Sequence, residues 1–156
     1  MKKKSYPKST SIWYFLFGVY VVVLLWLLFD RQRSPVGDRA YTDILQQNLN
    51  LTPLHTIRNY IWVIRHRTDP ALVRHCIINL GGNIFLFIPA GFLMPRIFPK
   101  QRNLFVFLLT AALCILLVET AQLFSLLGSF DIDDLILNLS GMLMGFSIYY
   151  LRYPVT

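Results

Sequence analysis

Charged residues are scarce in this chain. They make up only 15% of its 156 residues, whereas 55% are hydrophobic and the mean hydropathy is +0.51. About a quarter of the residues of a typical soluble domain are charged, so this composition argues against an ordinary soluble protein. The net charge of +7 does not indicate nucleic-acid binding, because the basic residues stand between long apolar runs. We therefore expect a membrane protein whose partners include lipid and no nucleic acid.

Cysteine is also rare, and both cysteines, Cys76 and Cys114, fall in apolar segments without a CxxC spacing. This arrangement gives no metal-binding signature and no disulfide framework. Ser125, Ser129 and Ser140 lack the GxSxG context of a nucleophilic serine. The chain also has no internal repeat and no low-complexity tract, so its function has to be argued from the residues inside its apolar runs.

Four apolar runs are present, at about 12–29, 76–94, 104–127 and 132–151. The first is long enough to cross ~30 Å of hydrocarbon at ~1.5 Å per residue. The residues after it, "DRQR", offer no small-residue cleavage site, so we interpret it as an uncleaved anchor. The sequence predicts an all-α integral membrane four-helix bundle. Its expected organisation is a basic cytoplasmic N-terminus at 1–11, membrane helix 1 at 12–29, a long loop at 30–74 and a core of membrane helices 2–4 at 75–151.

The long loop contains one amphipathic stretch, "IRNYIWVIRH" at 57–66. Ile57, Ile61 and Ile64 fall on one side of a helix there, with most of the charged residues elsewhere. This pattern predicts a short helix lying in the membrane interface. A loop helix that packs on the bundle is the alternative.

The distribution of Lys and Arg predicts the orientation of the chain. A lysine cluster precedes the first apolar run, and the short second loop carries Arg96, Lys100 and Arg102. The third loop carries no cation. Because cytoplasmic loops are enriched in Lys and Arg, we expect both termini to be cytoplasmic in a multi-pass protein of the cell membrane.

Polar side chains occur in three of the apolar runs. An ion at the centre of a membrane helix costs roughly 2.5–3.5 kcal/mol on insertion scales, so each needs a reason. Successive helices alternate in direction, which places the three polar groups on one side of the membrane, each about 5–12 Å below its surface. The sequence therefore predicts a polar pocket, which opens outward if the N-terminus is inside. Its candidate residues are His75, Asn79 and Asn83; Glu119 and Gln122; and Asp131, Asp134 and Asn138.

Structural roles are the alternative for most of these residues. The amides can link helices, and Asp131 can cap the fourth helix while Asp133 and Asp134 interact with its dipole. Asp133 points away from the other polar residues and is predicted to be a cap or loop residue. Gly141 and Gly145 form a GxxxG pair, typical of a close helix contact.

Glu119 is the strongest functional candidate, because it has no cap to satisfy and the apolar runs offer no Lys or Arg beside it. Glu119, Asp131 and Asp134, with His75, supply the oxygen and nitrogen ligands that a divalent cation accepts. Their spacing matches no established metal motif. No cofactor is therefore expected, with a divalent cation kept as an alternative.

The chain resembles the VanZ-like membrane proteins in four segments: "NLNLTPLHTI" (48–57), "INLGGNIFLFIPAGFLMP" (78–95), "VETAQLF" (118–124) and "FDIDDLILNLSGMLMGF" (130–146). Many members carry an arginine just before the acid cluster. This chain has "LGSFD" (127–131) instead, so any role of that arginine is absent or passes to a loop residue such as Arg74. The residues that match the family pattern are Asn50, Pro53, Asn79, Asn83, Phe87, Pro89, Gly91, Glu119, Gln122, Asp131, Asp133, Asp134, Asn138 and Gly141.

The resemblance implies a link to resistance against teicoplanin-type lipoglycopeptides. A pocket facing the outer leaflet would engage a lipid-linked cell-wall precursor or the acyl tail of such a drug, with Asn50 joining the amides and His75 as binding residues. A membrane enzyme acting on a lipid-linked substrate is the second hypothesis, with Glu119, Asp134 and Asp131 as candidate catalytic residues. The third is a small carrier or a pore subunit that uses the GxxxG face, although no inverted repeat supports a transporter.

Overall fold

The computed structural model of the chain describes residues 10–30 and 40–154. Within these ranges the helices, in chain order, are α1 (Thr10–Phe29), α2 (Tyr41–Gln47), α3 (His55–His66), α4 (Pro70–Ile97), α5 (Leu104–Ser125) and α6 (Ile132–Arg152). Two strands of two residues each, β1 (Leu49–Asn50) and β2 (Phe130–Asp131), and a 3₁₀ turn over Pro99–Arg102 complete the order.

The predicted helical membrane fold is confirmed. In the part of the chain that the structure describes, α1, α4, α5 and α6 are long and apolar enough to cross a membrane. The predicted basic segment 1–11 lies almost wholly outside the described residues, as does 31–39 of the long loop.

Side-chain caps set where three of the long helices begin. Asp69 accepts a hydrogen bond from the backbone N–H of Ala71, Asn103 from that of Val106, and Asp131 from that of Asp133. Such caps satisfy backbone donors that the first turn of a helix leaves without partners. Because the cap Asp69 and Pro70 precede the apolar run, α4 begins at Pro70, five residues before the predicted membrane core at 75–151.

The central pair of the bundle is α4 and α6, which run parallel to each other. Along this pair, Gly141 lies against Ile84, and Gly145 against Ile88 and Phe92. A Cβ atom added to Gly145 would lie 2.8 Å from the backbone nitrogen of Phe92 and would overlap the carbonyl oxygen of Ile88. The small residues thus allow backbone-to-backbone packing, as is common between membrane helices.

The other two membrane helices run antiparallel to this pair. The Tyr20 hydroxyl of α1 donates to the carbonyl oxygen of Leu86, at 2.7 Å. Near the start of α5, the ring of Phe107 packs on that of Phe146, with centroids 4.5 Å apart. The buried core between the four helices consists of Leu28, Phe87, Ala90, Met94, Phe107, Ala111, Ile115, Met142 and Phe146.

Residues 40–69, the described part of the connection between α1 and α4, cover the end of the bundle at which α6 begins. There β1 and β2 pair in parallel, with Leu49 opposite Phe130 and Asn50 opposite Asp131. The helix predicted at 57–66 is present as α3, and Trp62 on it is 49% exposed. This segment therefore brings Asn50 and the start of α3 onto the acids of α6.

Candidate functional site

Six of the predicted polar residues lie at one end of the bundle, where α1 and α5 end and α6 begins. We call this set the polar end. Five of its members are buried, between 2% and 8% exposed, and Asp134 is half-buried. The parallel course of α4 and α6 and the antiparallel course of α5 account for their common level. The residues of the polar end are Asn83, Glu119, Gln122, Asp131, Asp134 and Asn138.

The closest link across the central pair is the hydrogen bond from the Asn83 side-chain amide to a carboxylate oxygen of Asp134. Burial of a carboxylate is costly unless donors replace the water that it loses. Asn83 supplies one such donor from α4, on which it is 8% exposed. The bond therefore fixes the Asp134 carboxylate in a defined position between two membrane helices.

Asp131 has a structural role in a dense network. One of its carboxylate oxygens caps α6. The other accepts hydrogen bonds from the Thr56 hydroxyl and, at 3.2 Å, from the Asn50 amide. Asn50 in turn donates to Thr56 at 3.0 Å and accepts from the backbone N–H of Thr52. The predicted binding residue Asn50 thus anchors the segment between α1 and α4 to the acid cluster.

Asp133 is fully buried, and it caps a helix other than its own. Its carboxylate accepts hydrogen bonds from the backbone N–H groups of Leu54 and Ile57, the latter at 3.0 Å. Leu54 precedes α3 in a left-handed conformation with φ 63°, and its own side chain gives no cap. Asp133 therefore supplies the cap that the sequence of α3 lacks. Sequence reasoning placed Asp133 away from the pocket, as a cap or loop residue, but did not find Thr56 or the two backbone donors.

The amide of Gln122 closes the polar end on the side of α1. Its Nε2 donates to the carbonyl oxygen of Leu28 at 2.8 Å, in a buried contact. Leu28 lies in the last turn of α1, whose carbonyl groups have no partner within the helix. Glu119, one turn before Gln122 on α5, is only 3% exposed.

Asn138 lies one turn after Asp134 on α6 and is 2% exposed. Its side-chain oxygen Oδ1 is buried and has no hydrogen-bond partner among the described residues. A buried acceptor without a donor is uncommon and costs about 1–3 kcal/mol. This oxygen is therefore a position where a donor from outside the described chain would be stabilising.

His75 and Asn79 are not joined to this set. The Asn79 amide donates to the backbone carbonyl of His75 at 2.9 Å, and the His75 ring contacts that of Tyr60. Since Asn83 contacts the first turn of α6, Asn79 and His75 lie ~6 and ~12 Å further along α4, beyond the start of α6. His75 and the nearby Arg74 are exposed.

The predicted carboxylates do not form a three-residue group with metal-ligand geometry among the described residues. Among residues 10–30 and 40–154, no three His, Cys, Asp or Glu side chains form a group that could hold a metal ion. Two of the candidate ligands are instead separated by their hydrogen bonds, because Asp131 is directed to Asn50 and Thr56 while Asp134 is directed to Asn83.

Comparison with known proteins identifies the family of the chain. The model of the VanZ/LLP1 family matches residues 17–153. The chain belongs to the VanZ/LLP1 family. A curated member, Protein VanZ of Enterococcus faecium, is 31% identical over 137 residues, which cover 86% of this chain and 71% of that protein. No solved structure matches the chain.

The VanZ/LLP1 match includes α1 from residue 17 onward, the whole of α4, α5 and α6, and the whole polar end. It also includes the segment from Asn50 to Ile57 that is fastened to Asp131 and Asp133. The family therefore extends over the covering segment as well as over the helices.

Proposed function

We propose that this VanZ-family protein contributes to resistance against teicoplanin-type lipoglycopeptides by binding a lipid-linked ligand at the polar end. The observation that carries the proposal is the partly buried Asn83–Asp134 hydrogen bond one turn before Asn138, whose Oδ1 has no donor among the described residues. Family membership supports the link to resistance. Four helices that are long and apolar enough to cross a membrane support a ligand that arrives through the membrane.

The chemistry of the polar end favours a ligand rich in hydrogen-bond donors. Glu119, Asp134 and the Asn138 oxygen are acceptors, and acidic oxygens bind hydroxyl, amide N–H or ammonium groups. Hydrogen bonds to a charged acceptor contribute about 1.5–3 kcal/mol each. A sugar–peptide headgroup with a lipid chain has such donors, and its chain would lie along the apolar helix surfaces.

Ligand binding is favoured over the two other hypotheses. An enzyme that uses the whole Asp cluster would need free carboxylates, but Asp131 and Asp133 hold Asn50, Thr56 and the start of α3. A pore subunit would need the GxxxG face for contacts between chains. Gly141 and Gly145 instead contact α4 of the same chain.

The proposed orientation places the polar end on the outer side of the cell membrane, with both termini inside. The lysine cluster before α1 and the cations of the α4–α5 connection support it. Cysteines introduced at Ser129 and Lys100, both exposed, test it in a Cys114→Ser background. A membrane-impermeant thiol reagent should label position 129 in intact cells and position 100 only after lysis. Labelling of position 129 only after lysis would reverse the orientation.

The functional test compares variants at the polar end with a matched variant on the same helix. Asp134→Asn keeps the shape of the side chain but removes its charge, and Asn138→Leu removes the partnerless acceptor. Each should weaken ligand binding by about tenfold or more, since a lost charge-assisted bond is worth 1.4 kcal/mol or above. Protection against a teicoplanin-type drug should fall at unchanged membrane abundance. Ser147→Ala, an exposed position near the other end of α6, should retain full protection.

A glycopeptide without an acyl chain is the second probe in this assay. If the lipid chain matters, protection should be greater against the acylated drug in the unmodified protein, and Asp134→Asn should remove that difference. Full protection by both Asp134→Asn and Asn138→Leu at normal abundance would contradict the proposed site. Equal loss in Ser147→Ala would assign the effect to general destabilisation.

A further inference from the structure

The acids of this chain are confined to two stretches of its sequence. All eight Asp and Glu residues fall within 30–69 and 119–134, and none occurs in 1–29, 70–118 or 135–156. At one end of the bundle, where α4 and α6 end and α5 begins, the described residues include cations and no acid. We call it the basic end; its described cations are Arg96, Lys100, Arg102 and Arg152.

Arg96 is held in place by aromatic rings. It lies in the last turn of α4, with its Cζ 5.2 Å from the ring centroid of Trp13 on α1 and 4.5 Å from that of Tyr153 after α6. Both rings also contact Phe92, with centroids 6.4 Å apart in each case. Three helices thus fix one guanidinium group.

Cation–π contacts orient a guanidinium group without using its N–H donors, because the rings lie against its face. Among the described residues, no carbonyl or carboxylate accepts a hydrogen bond from Arg96. Arg102 differs, since its Nε donates to the carbonyl oxygen of Pro95 at 3.1 Å. The five donors of Arg96 are therefore directed by the aromatic contacts and available to an acceptor from the surroundings.

The surroundings of this end are the headgroup region of a membrane leaflet. Arg96 and Tyr153 stand at the ends of membrane-spanning helices, and Trp13 in the first turns of another. Trp and Tyr are enriched at this depth in membrane proteins. The abundant acceptor there is the phosphate group of a phospholipid, which a guanidinium can bind with two parallel hydrogen bonds.

We propose that Arg96, held between Trp13 and Tyr153, binds the phosphate of an anionic phospholipid headgroup in the leaflet at the basic end. Lys100 and Arg152 add positive charge at the same end. The absence of acids in the sequence of this end favours an anionic lipid over a zwitterionic one, because no carboxylate is there to bind a cationic headgroup. The site is independent of the polar end, which lies across the membrane.

Native mass spectrometry of the purified protein tests this proposal. The probes are phosphatidylglycerol and phosphatidylcholine with identical acyl chains. The unmodified protein should prefer phosphatidylglycerol. Arg96→Gln should reduce its affinity at least about fivefold, the effect of one cation worth about 1 kcal/mol at a membrane surface. The matched control is Arg65→Gln, an exposed arginine in the last turn of α3, which should bind as the unmodified protein does.

Tyr153→Leu tests the role of the ring without changing the charge. If Arg96→Gln does not fold, phosphatidylglycerol binding by this second variant tests the proposed site. It should also weaken phosphatidylglycerol binding, because Arg96 is then held from one side only. Unchanged binding in Tyr153→Leu or in folded Arg96→Gln would overturn the proposal. Equal losses in Arg65→Gln would show that only total charge matters. Displacement of the lipid by millimolar inorganic phosphate would instead indicate a free-anion site.

Discussion

The two ends of this four-helix bundle differ in the interactions of their polar residues. At the polar end, carboxylates and amides are matched to donors and carbonyl groups of the same chain, as in the bonds of Asp133 to Leu54 and Ile57. At the basic end, Arg96 has aromatic contacts but no acceptor among the described residues. The first end fixes helices and a covering segment relative to one another. The second leaves donors directed at the lipid.

The difference distinguishes residues that stabilise the fold from residues that are candidates for function. Removal of a group from a matched network leaves a buried partner without a hydrogen bond, which costs more than the bond itself contributes. Asp131 and Asp133 belong to such a network. Asp134 and Asn138 also lie at the polar end, where the Asn138 oxygen has no donor among the described residues. Substitutions at the two ends should therefore differ in their effect on stability. Within the polar end, substitutions of the adjacent acids Asp133 and Asp134 should differ in the same way.

The largest expected effect comes from the helix pair on which both ends depend. Gly145→Ala places a methyl group against the backbone of Ile88 and Phe92, which no rotation of a side chain can relieve. We expect the free energy of unfolding to fall by more than about 4 kcal/mol, measured by titration with SDS. The control is Gly18→Ala, where nothing lies within 4 Å of the added atom. Similar stabilities of the two variants would contradict the close packing of α4 on α6.

Asp133→Ala should have the next largest effect. It leaves the backbone N–H groups of Leu54 and Ile57 without their acceptor, at a cost of about 3 kcal/mol. Hydrogen exchange should also accelerate at the start of α3. Asp43→Ala, which removes an exposed carboxylate in the first turn of α2, should change neither quantity. Slow exchange at Leu54 and Ile57 in the Asp133 variant would show that α3 does not need this cap.

Gln122→Leu should have a smaller effect, because one buried acceptor loses its donor. The carbonyl of Leu28 is left without a partner at the end of α1, and we expect a loss of about 1–2 kcal/mol. The exposed Gln46→Leu on α2 is the matched substitution. A stability of Gln122→Leu equal to that of the control would mean that α1 is held without this bond.

The smallest effect is expected at the basic end. The Tyr150 hydroxyl donates to the carbonyl oxygen of Arg102, and Tyr150→Phe removes only this bond while the ring stays packed on Phe146. The free energy of unfolding should fall by about 1 kcal/mol or less. Tyr14→Phe, at an exposed position of α1, is the control. A loss in Tyr150→Phe as large as that in Asp133→Ala would remove the contrast between the two ends.

The sequence was sufficient for the membrane helices, because a run of about 20 apolar residues has few other stable arrangements. It also placed the polar side chains on one side, since alternation of helix direction fixes their level. It was less informative about the start of α4, where the capping residues Asp69 and Pro70 precede the apolar run. The short helix α2 was missed, as a polar seven-residue segment has no strong periodic pattern.

The partners within the site could not be predicted from periodicity. The angular position of Asp133 correctly separates it from Asp134, but it does not show that a distant segment covers that face. The contacts of Asp131 with Asn50 and Thr56 join residues far apart in sequence. His75 and Asn79 share a stripe with Asn83 yet lie beyond the start of α6, because α4 is longer than its apolar run. Helical periodicity predicts the face of a helix on which a side chain lies. Which residues that side chain contacts depends also on the lengths of the neighbouring helices.

The cap that Asp133 of α6 supplies to α3 has a consequence for biogenesis. On the ribosome, α3 is synthesised well before the last helix, so the backbone donors of Leu54 and Ile57 emerge without the carboxylate that will accept them. The cover over the polar end can close only after α6 has entered the membrane and delivered Asp133. Closure of this cover therefore follows the synthesis of α6. A chain truncated before residue 130 lacks Asp133, so the first turn of α3 would stay without this cap.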